Sequence, residues 1–142
     1  MKVLPILAVA LLAAAPVFAA APLAVSDAWI RAMPAGIPSG GYFTLHNGSA
    51  KNLVLTGAST PACGSLMLHK SDMTGGMSSM HPVDEVDVPA GGSISFAPGG
   101  YHLMCMQATS AITPGAKIPV TLLFKDGGKL TVPFEVRNAA GK

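Results

Sequence analysis

The chain is short of several things, and each shortage removes a class of function. It has no strong excess of charge of either sign: nine Lys and Arg stand against seven Asp and Glu. Taking away Lys2 with the leader discussed below leaves eight against seven, so there is no basic field for nucleic acid and no polybasic anchor for anionic lipid. After the first residues no apolar run is long enough to cross a bilayer. No window shows sustained helical periodicity, which excludes a helical bundle. There is no nucleophile–base pair with an orienting group and no carboxylate pair set for acid–base work, so the sequence does not read as an enzyme. Asp84, Glu85 and Asp87 read as solvated charge. Cysteine is scarce too, with only Cys63 and Cys105.

The start of the chain has the pattern of an export signal. Lys2 opens it, Val3 to Ala15 is apolar apart from Pro5, and Val17-Phe18-Ala19 is a small-x-small cleavage cue. The expectation is a signal peptide over 1–19, with cleavage after Ala21 as the alternative, and a single domain over 20–142, large enough for a core. Export to an oxidising compartment makes a Cys63–Cys105 disulfide possible, but spacing alone leaves open a pair of small buried residues.

Short strands separated by turn signals run through the rest. Ala24–Ala32 alternates as a first strand, with Trp29 expected as a core anchor. Tyr42–His46 is a second strand, closed by the hairpin signal Asn47-Gly48, and Leu53–Thr56 and Ser65–His69 follow. Ser71–Ser79 reads as a loop, Pro82–Val88 alternates, and Ser93–Phe96 and Tyr101–Gln107 are further strands. Lys117 to Val136 reads as a hairpin around Asp126-Gly127-Gly128. Strands this short at this spacing point to an all-β, antiparallel sandwich.

What the chain has in plenty is soft donors. Six of its eight methionines (Met67, Met73, Met77, Met80, Met104, Met106) and three of its four histidines (His69, His81, His102) fall between 67 and 106. Thioether sulfur and imidazole together suit Cu(I). On a strand, His102 and Met104 leave the same face, roughly 6.5–7 Å apart at Cα, while Leu103 and Cys105 point to the opposite layer. Thioethers neither ionise near neutral pH nor form disulfides, so they suit a carrier working where exposed thiolates would oxidise. Methionine is also a common core filler, and beside Leu66 and Leu68 that is the expectation for Met67; Met106 is likewise expected to pack near the site. Met73 and Met77, set among polar residues, read as a landing surface for a soft metal or as a partner contact. His46 reads as a surface residue at a strand end, Tyr101 as packed in the sandwich, and His81 as pointing away from the site, with an auxiliary donor role left open.

The spacing His69-x10-Met80-x21-His102-x-Met104 resembles the metal-binding signature of the PCuAC family of periplasmic copper chaperones. "DAWIRAMPAG" at 27–36, "VPAGG" at 88–92 and "PGGYHLM" at 98–104 carry the same resemblance over nearly all of the chain after the leader. It implies a cupredoxin-like Greek-key sandwich and a periplasmic location. It also implies a Cu(I) site made by His69, Met80, His102 and Met104. The ion would pass toward the CuA site of cytochrome c oxidase subunit II, alongside a Sco-type thiol protein, and the chain would be a monomer. Two departures stand out. His81 sits where the family more often has arginine, and the end "EVRNAAGK" lacks the His/Met tail that binds Cu(II) in some relatives. Two other readings compete. An electron-transfer cupredoxin would need a cysteine thiolate before the last histidine and methionine, whereas Cys105 follows both. A non-metal interaction sandwich would use the methionines as a contact patch.

Overall fold

The computed structural model describes residues 23–74 and 76–142. The segment read as a leader, 1–19, lies outside the described residues. Ten strands make the domain: β1 (Leu23–Arg31), β2 (Ser39–Asn47), β3 (Leu53–Ser59), β4 (Cys63–Thr74), β5 (Met77–Pro82), β6 (Val86–Val88), β7 (Ser93–Phe96), β8 (Tyr101–Ala108), β9 (Lys117–Phe124) and β10 (Lys129–Arg137). Among the described residues no helix is long and apolar enough to cross a membrane.

The strands form one hydrogen-bonded ladder in the order β5-β4-β8-β2-β1-β10-β9-β3-β6, with β7 paired to the far part of β2. The ladder folds over on itself, so that β3 packs against β4 and a sandwich closes. This is the cupredoxin-like, all-β Greek-key architecture expected. Pairing is antiparallel throughout except between β1 and β10, which run parallel. Alternation builds the core: Phe43 and Leu45 from β2, Leu103 and Cys105 from β8, Ile118, Val120 and Leu122 from β9, and Phe134 from β10 are buried together. Each such side chain removed from water contributes roughly 1.5–3 kcal/mol, and together they hold the outer face rigid. The hairpin at Asp126-Gly127-Gly128 forms as expected: Gly127 has φ +86°, and Asp126 Oδ1 accepts a 2.8 Å bond from Gly128 N. Tyr101 packs against the core and stacks on Phe96 at 5.5 Å between centroids.

Four local expectations are corrected. Ser71–Ser79 is not a loop: β4 runs on to Thr74 and β5 returns from Met77, with Ser71 opposite Met80 and His69 opposite Pro82. Of the alternating stretch 82–88, only Val86–Val88 forms a new strand; Pro82 ends β5. Asn47-Gly48 does not join paired strands, because β3 pairs with β6 and β9 rather than with β2. Instead the buried Asn47 side chain donates to Lys51 O (2.8 Å) and Val88 O (3.0 Å) and accepts from Ser49 N and Oγ, satisfying polar groups inside the crossover.

Trp29 is the fourth correction, since it does not anchor the core. The β1–β2 register shifts between Ser26 and Trp29, and Asp27 adopts φ +52°, a left-handed conformation that aspartate tolerates. Such a bulge reverses which face each later residue occupies. Val25 packs inward before it and Ile30 after it, so Trp29 and Arg31 are turned to the outer face. There Trp29 lies 4.7 Å from Tyr42 between ring centroids, with the guanidinium groups of Arg31 and Arg137 at 5.4 and 4.9 Å from its ring.

Candidate metal centre

The donors collect on the outer face of β8, β4 and β5. In β8, Leu103 and Cys105 enter the core, which turns His102 and Met104 outward. In β4, Leu66 and Leu68 enter the core, which turns Met67 and His69 outward. The two strands are antiparallel neighbours with His69 directly opposite His102 and Met67 directly opposite Met104. Residues 33 positions apart in the chain thus become cross-strand partners, their ring centroids 5.7 Å apart. Met80 reaches the same face from the edge strand β5, where it is 59% exposed. Met80, His102 and Met104 line one cleft of about 320 Å³, together with Arg31, Met33, Gly40, Tyr42 and Ser71.

The imidazoles are placed as lone-pair donors. His102 is buried, and its Nδ1 lies 3.1 Å from the carbonyl oxygen of Gly100. A carbonyl can only accept, so the proton sits on Nδ1 and Nε2 keeps a free lone pair in the neutral ring. That Nε2 is buried without a hydrogen-bond partner, as are both ring nitrogens of His69. A buried polar atom without a partner is costly, and these ring nitrogens are groups that a bound ion would satisfy. His69 is held below the ordinary imidazole range, first by burial and then by His102 and His81, so its neutral form is favoured. Among the described residues no three His, Cys, Asp or Glu side chains are grouped to hold a metal. The imidazoles and thioethers gathered on this face are of the kind that could hold a soft monovalent ion.

Backbone choice keeps the cleft open. Gly40 of β2 lies opposite Met104, and a Cβ there would meet Tyr42 Oη at 2.5 Å. A glycine inside a strand marks close approach, and here it lets the Tyr42 ring fold back beside the cleft. Replacing Gly40 by Ala is expected to push that ring aside and, if the cleft holds Cu(I), to weaken its binding by about tenfold, the scale of a supporting-shell defect; competition with a Cu(I) chelator reads this, and unchanged affinity would show that the Tyr42 position does not matter.

Other residues fall as the sequence implied, with two exceptions. His81 points away and lies 3.6 Å from Asp72. His46 is at the surface, its Nδ1 2.6 Å from Ser93 Oγ. Glu85 makes a surface ion pair with Lys125, and Met77 is exposed. The exceptions are Met67 and Met106, expected to pack inside but 41% and 36% exposed on the donor face. The alternation Leu66-Met67-Leu68-His69 carried that signal: with the leucines inward, Met67 shares the parity of His69. Arg31, Gly40 and Tyr42 were also missed as neighbours of the cleft, because β1 and β2 reach it only through sheet pairing. Cys105 is fully buried and bonded to Cys63, with Cα atoms 5.6 Å apart, so no thiolate is available for a blue-copper centre.

Comparison with known proteins agrees with this fold. The family described as "Putative lipoprotein LpqE-like" matches residues 23–136. "Putative lipoprotein Lxx21020" of Leifsonia xyli subsp. xyli is 33% identical over 118 residues, which is 82% of this chain and 70% of that protein. Among solved structures, the solution structure of CuI-DR1885 from Deinococcus radiodurans is 33% identical with a TM-score of 0.63, covering 78% of this chain and 74% of that one. The copper-bound PCuAC domain from PmoF2 superposes with a TM-score of 0.68 over 85% of this chain and 97% of that domain; at 20% identity the likeness is one of fold. A match this long, together with relatives at this identity, means that the chain belongs to the LpqE-like family, built on the fold of the PCuAC domains.

Proposed function

We propose that the protein is an exported copper carrier that binds one Cu(I) through His69, Met80, His102 and Met104 and gives it up to an acceptor protein. The observation that carries this reading is the facing pair His69 and His102, whose partnerless ring nitrogens share the donor face with the Met80/Met104 cleft. The Cu(I) form of DR1885, 33% identical to this chain, supports the same ion. The site suits transfer rather than storage or catalysis. Met80 stands on an edge hairpin, largely in solvent, so an acceptor's donors can enter before His102 lets go. The family resemblance supports the periplasm as the compartment and the CuA site of cytochrome c oxidase subunit II as destination, with a Sco-type protein as partner and a monomeric carrier.

Titration of the reduced copper ion against a competing chelator tests this. One equivalent is expected to bind tightly to the wild-type chain. The Met80→Ala, Met104→Ala double variant is expected to lose at least ~100-fold in affinity, beyond what supporting residues usually cost. Uptake that is absent, or unaltered in the double variant, sinks the reading and favours an interaction sandwich.

A further inference from the structure

The four donors do not exhaust the thioethers on this face. Met67 lies directly opposite Met104, and Met106, two residues beyond Met104, lies opposite Ser65 on the same side of the sheet. Directly opposed side chains have Cβ atoms about 5 Å apart and diagonal ones about 7–8 Å, within the combined reach of two methionines. Met33 comes from the 33–38 segment above. It lines the 320 Å³ cleft with Met80 and Met104, and also a neighbouring cleft of about 420 Å³ with Met106. Met104 therefore shares one cleft with His102, Met80 and Met33, lies opposite Met67, and is followed on the same face by Met106. Met67 and Met106 are 41% and 36% exposed on this face, so packing in the core does not account for them.

We propose that Met33, Met67 and Met106 form a second, all-thioether station for a soft monovalent ion, adjoining the His/Met site through Met104. The proposal rests on the reading of the His/Met site given above, because it makes Met104 the donor common to both. An ion moving between the stations remains Cu(I). One thioether or imidazole bond forms as another breaks, and no electron or proton is transferred. The second station lacks imidazole and should hold the ion more loosely, as a point of arrival or departure.

Silver(I), a monovalent soft ion that does not change oxidation state here, is the probe, titrated into the whole chain carrying methyl-labelled methionine and followed by NMR. The first equivalent is expected to shift the methyls of Met80 and Met104 and the ring signals of His69 and His102. The second is expected to shift Met33, Met67 and Met106. The Met67→Leu, Met106→Leu double variant keeps volume and replaces exposed side chains. It is expected to retain the first equivalent within twofold and to weaken the second at least tenfold. Still Met67 and Met106 methyls through the second equivalent would overturn the second station and leave the first intact. So would a second equivalent that persists in the double variant. A first equivalent that moves none of Met80, His69 and His102 would instead overturn the His/Met site, and the adjoining station with it.

Discussion

Cu(I) held by the protein at about pH 7.5 is expected to be bound about two to three orders of magnitude more weakly at about pH 4.5, since each metal-bound imidazole gives up roughly tenfold per pH unit below its own pKa. The sign follows from competition: a proton and the metal need the same nitrogen lone pair, and thioethers offer the proton nothing. His69 adds a particular shape to the curve. Burial first, then His102 and His81, hold its pKa below the usual value, so its share of the loss begins at lower pH than an ordinary histidine's would. The metal-free domain responds in the same direction. Below about 6.5 the unfolded chain takes up a proton at position 69 that the folded chain still refuses, so stability falls with pH until the folded pKa is passed, and is level below it. Chelator competition across this range measures the first effect, and urea unfolding of the metal-free chain and a His69→Gln variant measures the second. An affinity that is flat with pH would mean that sulfur alone holds the ion.

The second large effect concerns the Cys63–Cys105 bond. It closes a loop of sequence separation 42, for which the chain-entropy relation gives about 4 kcal/mol of stabilisation. For a domain of this size that corresponds to a fall of roughly 10–20 °C in melting midpoint when the bond is cut. Thermal unfolding of the metal-free chain with and without reductant, and of a Cys63→Ala, Cys105→Ala double variant, measures it. Copper affinity is expected to fall as well, because the bond ties β4 to β8, the strands that set His69 against His102. A midpoint that does not move would show that core packing alone holds these strands in register.

The shared outward face of His102 and Met104 was legible because strand parity is a strong constraint. His102 and Met104 differ by two positions, and a buried Leu103 between them leaves only one orientation for both. The core pattern in β8, β9 and β10 was readable for the same reason. The hairpin of β4 and β5 was not, since an edge ribbon with both faces in water has no need to alternate, and its serines and glycine read as loop. Asn47-Gly48 misled because its signal is local, whereas the strand that follows finds its partners across the sandwich. Trp29 misled because a single extra residue in β1 reverses every later side chain, and nothing in the residue types near Asp27 announces it. The place of Met67 was recoverable from its neighbours, but the usual habit of methionine as a filler outweighed it.

That extra residue in β1 gives the protein a built-in optical label. The chain has one tryptophan, and the bulge sets its indole outside the core, against Tyr42, whose own ring borders the 320 Å³ cleft. Emission from this chromophore therefore reports the state of that outer surface rather than the integrity of the interior.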